Sequence, residues 1–187
     1  MIKSKKDLHL YINQDIKMSG LNIKKPRILR DDILKFQILL RKCEYINNCK
    51  EGKIWKIYLN FLKLRLKNLG MKLGFTVPLN VFGPGLSIAH YGTLTINANS
   101  KVGKNCRIHE GVTIGATNGI DKAPKIGNNV FIGSGAKIIG DINIADGIAI
   151  GANSVVTKSF NEKGITIAGI PAKKISNKGS KVFIECD

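Results

Sequence analysis

A mainly β fold, a parallel β-helix wound from six-residue repeats behind a small basic helical region, is what this sequence predicts, and three observations predict it. From Ile96 onward every sixth residue is Ile or Val: Ile96, Val102, Ile108, Ile114, Ile120, Ile126, Ile132, Ile138, Ile144, Ile150 and Val156. The residue after this aliphatic is often small, as at Gly103, Gly115, Gly127, Gly133, Ala145 and Gly151. Four positions after the aliphatic stands a second inward candidate: Ser100, Cys106, Val112, Val130, Ala136, Ile142, Ile148 or Ser154.

Each hexapeptide then makes one short flat strand and one corner, and three make a triangular coil. Stacked coils pair their strands at about 4.8 Å while the aliphatic columns fill the interior. An α-helix is excluded, because a period of six scatters the aliphatics over several helix faces. A β-sandwich is excluded as well, since it needs a period of two and hairpin turns.

The chain divides in two by charge and pattern. Residues 1–75 carry 18 Lys and Arg against 6 Asp and Glu, and they hold most of the net +17. This region shows helical patterns at Asp31 to Arg41 and Lys53 to Lys72. Residues 76–187 form the β-helix domain, entered through the turn-rich Val77 to Gly85. The stretch 116–125, although in phase with the repeat, contains Thr-Asn-Gly and Ala-Pro and reads as a loop thrown out of the coils. From Thr157 a more polar tail closes the solenoid, as terminal repeats must.

Cys43, Cys49, Cys106 and Cys186 show neither a CxxC nor a framework spacing, so disulfides and a zinc site are poorly supported and a reducing cytoplasm fits best. No apolar signal core opens the sequence and no stretch reaches the ~20 apolar residues of a membrane span. The expectation is a cytoplasmic protein, with a contact at the inner face of the membrane through 53–72 as one role of the basic helix there. That segment sets Lys53, Lys56, Asn60, Lys63 and Lys67 at helical spacing beside a wide apolar face. Packing of that face on the first coil or a neighbouring subunit is the leading reading. Interfacial membrane association is the second. Nucleic acid is not expected as a partner, because no recognition motif accompanies the charge.

Four segments carry a family resemblance: Gly85-Leu86-Ser87-Ile88-Ala89-His90, Ile108-His109-Glu110-Gly111-Val112-Thr113-Ile114-Gly115, Pro124-Lys125-Ile126-Gly127 and Ala168-Gly169-Ile170-Pro171-Ala172-Lys173. Over about residues 77–176 the chain resembles the serine acetyltransferase branch of the hexapeptide acyltransferases. The resemblance implies a left-handed winding and a homotrimer with acetyl-CoA as co-substrate in grooves between subunits. It also implies direct transfer of acetyl to a hydroxyl, with no metal. His90 falls on the family's catalytic histidine, the general base. A hydroxyl must lose its proton as it attacks the thioester, and an imidazole suits that task. His109, 19 residues on, is expected one coil above and beside the acceptor pocket. Asn80 is a candidate to orient His90. The resemblance places Gly115, Ala116 and Thr117 at the start of the cofactor groove, with Ser134 and Ala152 stacked along it. Lys158, Lys173 and Lys174 would meet the CoA phosphates.

Two departures bear on the acceptor. Ala89 stands where serine acetyltransferases have Asp, and Lys122-Ala123 where they have Arg-His. Those family residues hold the amino acid, and their loss favours a sugar hydroxyl of a surface polysaccharide or its precursor. The alternatives are serine acetylation for cysteine synthesis and a non-catalytic β-helix module for binding or structure. A β-helical carbonic anhydrase needs three His ligands, whereas the repeat supplies two.

Overall fold

A computed structural model describes residues 1–21, 26, 27, 30–117 and 122–184 of the chain. Three helices come first: α1 (Lys5–Met18), α2 (Asp32–Cys49) and α3 (Lys53–Leu73). Ser4 caps α1 by accepting the Asp7 amide, while the Asp7 carboxylate accepts the Lys3 amide, so two amides free of helical partners are satisfied together. The sequence signals for α2 and α3 place both helices, although α2 runs on to Cys49. α1 has no counterpart among the helices the sequence predicts.

The strands that follow are short: β1 (Phe75–Thr76), β2 (Ser87–Ile88), β3 (Leu94–Ile96), β4 (Lys101–Val102), β5 (Arg107–Ile108), β6 (Thr113–Gly115), β7 (Lys125–Ile126), β8 (Phe131–Ile132), β9 (Lys137–Ile139), β10 (Asn143–Ile144), β11 (Ala149–Ile150), β12 (Val155–Val156), β13 (Thr166–Gly169) and β14 (Ala172–Ser176). They form three sheets, ordered β1-β3-β6-β9-β12, β4-β7-β10 and β2-β5-β8-β11-β13-β14. Every pairing is parallel except the closing hairpin β13-β14. Successive strands of the chain thus fall on successive faces of a three-sided coil, the architecture the period of six requires. A last helical turn, α4 (Lys181–Ile184), folds back after the hairpin.

The register shows where coils depart from 18 residues. Thr95 opposes Thr113 and Lys137 opposes Val155, both one plain coil apart. Lys101, however, opposes Lys125, and Arg107 opposes Phe131, each one hexapeptide longer. The surplus lies between β6 and β7, within the stretch read as a loop; Ile120 falls outside the described residues. A second surplus is decisive for the site. Ser87 opposes Arg107, so the corner between β2 and β3 is two residues longer than the corner stacked on it, and it carries His90.

The interior is as the repeat dictates. Ile108, Ile114, Ile132, Ile138, Ile150 and Val156 are fully buried, and so are the second-column residues Ser100, Cys106, Val112, Val130, Ala136, Ile148 and Ser154. Side chains that alternate along such short strands send one residue inward and the next outward. Burial pushes the Cys106 thiol up to about 12 and the Cys43 thiol up to about 11, so both are inert, as structural cysteines are.

The small residue after each aliphatic has a different reason from the one its position suggests. Left-handed backbone falls two residues later, at Asn105 and Asn129, a residue type that enters αL more readily than most. There Asn105 Nδ2 donates to Asn129 Oδ1 on the next coil at 2.9 Å. Gly103 instead lies under the next coil, and a Cβ on it would come within 2.7 Å of the Gly127 carbonyl oxygen. Glycine is needed there for close stacking, not for the turn.

Candidate active site

The longer corner after β2 lifts His90 out of the stacked sheet. Its imidazole is exposed on one side and meets His109, from the end of β5, edge to face with ring centroids 5.3 Å apart. The expected stacking of the two imidazoles on adjacent coils is therefore present. His109 in turn meets Phe131 at 5.1 Å, and Phe131 stacks on Phe183 of α4 at 4.3 Å. A column of four rings thus runs up one flank of the coils.

Glu110 completes the cluster, and sequence reasoning missed it. One ligand-capable atom each from His90, His109 and Glu110 lies within 4.8 Å of the others. The Ser134 hydroxyl and Glu110's own backbone amide hold its carboxyl below the usual range, with His90 and His109 adding to the effect. A carboxylate at that range is ionised at neutral pH. Among the described residues its Oε2 is buried without a partner, as is His109 Nε2. Burial pushes the His109 imidazole below its ordinary value, the Arg107 cation adds to this and Glu110 opposes it. His109 is therefore neutral at pH 7. Its Nδ1 sits 3.4 Å from Ser134 Oγ.

Two imidazoles and a carboxylate at this spacing also match a divalent-cation donor set, a reading that the count of two histidines in the repeat did not weigh. An ion there would occupy the nitrogen a general base needs. The arrangement suits acid-base chemistry better: one accessible imidazole, one ionised carboxylate beside it, one neutral imidazole behind.

A cleft of about 500 Å³ opens at His90. Ile88, Ala89, His90 and Tyr91 form its coil side, and Ser19, Asp31, Ile33, Leu34 and Gln37 its helical side. The Arg27 guanidinium and amide donate to Asp31 at 2.8 to 2.9 Å and hold its carboxyl well below the usual carboxylate range. An acidic group thus shares the cleft with the imidazole.

The remaining sequence candidates are placed as follows. Asn80 is engaged elsewhere: its amide exchanges hydrogen bonds with Asn48 at 2.8 and 3.0 Å and its backbone N–H donates to Glu44. Glu110, not Asn80, is the polar group beside His90. Ser134 lies against His109 and Glu110, so it belongs with the imidazoles as much as with a cofactor groove. Ala152 is stacked on the Ser134 corner, where its backbone nitrogen would meet a Cβ on Gly133 at 2.8 Å. Gly115 ends β6, Ala116 is half-buried and Thr117 exposed, its Oγ1 facing Gly140. Lys158 and Lys173 are exposed, whereas Lys174 is paired with Glu162 at 2.5 Å.

Residues 123–158 match the family model of the bacterial transferase hexapeptide (six repeats). The chain is 37% identical over 102 residues to the serine acetyltransferase of Synechococcus elongatus, an alignment covering 54% of this chain and 41% of the relative. It is 39% identical over 103 residues to the serine acetyltransferase of Staphylococcus epidermidis, covering 54% and 47%. The chain therefore matches less than half the length of these curated relatives. Among solved structures it resembles the serine acetyltransferase from Brucella abortus, with TM-score 0.69 and 26% identity over 94% of this chain and 72% of that one. The same enzyme in complex with coenzyme A gives TM-score 0.67 and 27% identity over 94% and 68%. In its repeat and in these likenesses, the chain resembles the serine acetyltransferase-like branch of the hexapeptide-repeat acyltransferases.

Proposed function

We propose that the chain is an acetyl-CoA-dependent O-acetyltransferase that passes acetyl directly to an acceptor hydroxyl. The observation that carries this is the exposed His90 imidazole beside an ionised Glu110 at the mouth of a cleft. In this reading His90 takes the hydroxyl proton as the oxygen attacks the thioester carbonyl, and Glu110 stabilises the imidazolium that forms; the C–S bond then breaks and CoA leaves as the thiol, carrying that proton. His109 stands behind His90, packed against that imidazole with its own Nε2 buried, and helps to position the base. The coils wind left-handedly and the chain forms a trimer, with CoA in the groove between subunits. Small residues at Gly115, Ala116 and Ala152 let pantetheine approach backbone amides there, and Lys158 and Lys173 meet the phosphates. The likeness to a serine acetyltransferase solved with coenzyme A supports the co-substrate.

For the acceptor, the relatives' names favour L-serine over the sugar hydroxyl that Ala89 and Lys122-Ala123 suggested. The sugar reading retains those two departures.

Thiol release from acetyl-CoA, followed over L-serine, sugar nucleotides and oligosaccharides, separates the readings. Turnover of serine supports the first and turnover of saccharides alone the second. No turnover with any hydroxyl acceptor, while CoA still binds, would favour a non-catalytic module.

A further inference from the structure

α3 presents two apolar faces, and only one is used. Leu62, Leu66 and Leu73 are buried against the rest of the protein. On the opposite side Ile54, Ile57, Phe61, Leu64 and Met71 are 81%, 71%, 54%, 57% and 65% exposed. At the helical repeat these five fall on one stripe, with Tyr58 at its margin. Packing of the apolar face on the first coil or a neighbouring subunit was the expectation; the leucine face packs chiefly on α2 and also on β1, and this stripe is exposed.

The charge on the helix selects what covers it. α3 contains Lys53, Lys56, Lys63, Arg65, Lys67 and Lys72 and no acidic residue. Lys56, Lys63 and Lys67 line one edge of the stripe, and Arg65 lines the other, its guanidinium 5.9 Å from the Phe61 ring. A second copy that covered the stripe with its own α3 would set one wholly basic helix against another. An anionic lipid surface satisfies both features at once. Apolar side chains bed at the level where headgroup meets acyl chain, and the lysine stems reach outward along them to the phosphates. Among the described residues no helix is long and apolar enough to cross a membrane, so the helix would lie on the bilayer.

We propose that α3 is a membrane-surface helix whose outer stripe, Ile54 to Met71, docks in the interface of an anionic bilayer. This docking is independent of the acetyl-transfer reading.

The test uses the full chain. Vesicles of phosphatidylcholine, alone or mixed with phosphatidylglycerol, are added, and binding is read by flotation. The expected result is binding at least about tenfold tighter to the anionic vesicles and release at high salt. The double variant Ile57→Glu/Phe61→Glu is expected to lose about tenfold or more while keeping its circular dichroism, because both positions are already exposed. Equal binding to the two vesicle types, no binding to either, or a double variant that binds as well as the parent would overturn the proposal. So would a self-association that the double variant abolishes in the absence of vesicle binding, which would identify a second copy as the occupant.

Discussion

Replacing His90 by alanine is expected to lower kcat for acetyl transfer by about a hundredfold to ten-thousandfold, the range a positioned general base contributes. KM for acetyl-CoA should move little, because the proposed pantetheine contacts at Gly115, Ala116 and Ala152 lie apart from the imidazole. The measurement is steady-state thiol release with varied acetyl-CoA at saturating acceptor. A general base acts only in the transition state, so its loss appears in kcat and kcat/KM together, whereas a binding residue would appear in KM. Glu110→Gln keeps the shape of the side chain and removes its charge, and it should cost less, about tenfold. His109→Ala removes the ring packed against His90 and should lower kcat more than it raises KM of the acceptor. Full activity of His90→Ala would end the base assignment, and loss in Glu110→Gln equal to that in His90→Ala would mean that the carboxylate does more than support the imidazole.

His90 came from the family resemblance; why Glu110 escaped the sequence follows from register. A period of 18 sets His90 against Ile108, an inward aliphatic, and leaves Glu110 one corner away. The corner after β2 is two residues longer than its neighbour, so Ser87 opposes Arg107 and the pairing continued to His90 reaches Glu110. That insertion is spelled by His90-Tyr91-Gly92-Thr93, in which no aliphatic marks the phase. The interior columns were legible because burial imposes one residue type at each inward position. Ile108, Ile132, Ile138 and Ile150 needed only counting. α1 was harder: its one capping signal is local, and its buried residues include a charge, Asp15, which no hydropathy pattern assigns to a core. The exposed stripe of α3 carried the opposite problem. Apolar residues covering both sides of a helix predict burial on both sides, and the sequence alone could not say that one side stays bare.

The buried charge of α1 supports the second large effect. Arg41→Ala is expected to destabilise the protein by about 3–5 kcal/mol, the cost of leaving buried charge unpaired. For a chain of this size that is a fall in Tm of roughly 6–20 °C. Arg41 is fully buried. Its guanidinium holds Asp15 at 2.8 and 3.2 Å and Glu44 at 3.0 Å, and donates to the carbonyls of Phe82 and Gly83 at 2.9 and 2.7 Å. Burial opposes its charge, but Asp15 and Glu44 outweigh burial and hold its pKa above the ordinary value. The two acids do further work on the backbone: Asp15 Oδ1 accepts the amides of Gly85 and Leu86 at 2.8 Å, and Glu44 Oε1 that of Asn80. In the alanine variant two carboxylates and two carbonyls lose their donor at once. Many buried ion triads can be exchanged for apolar residues at no loss. This one should not be, because Asp15→Leu/Arg41→Met/Glu44→Leu also strands three backbone amides, each worth about 1–3 kcal/mol when left unpaired. Urea unfolding of both variants makes the comparison, and a triple variant as stable as the parent would show that the amides find other partners. The segment so clamped, 80–86, runs straight into β2 and His90. Arg41→Ala should therefore lower kcat as well, at temperatures where the protein is still folded, since a base misplaced by about 1 Å loses on the order of a hundredfold.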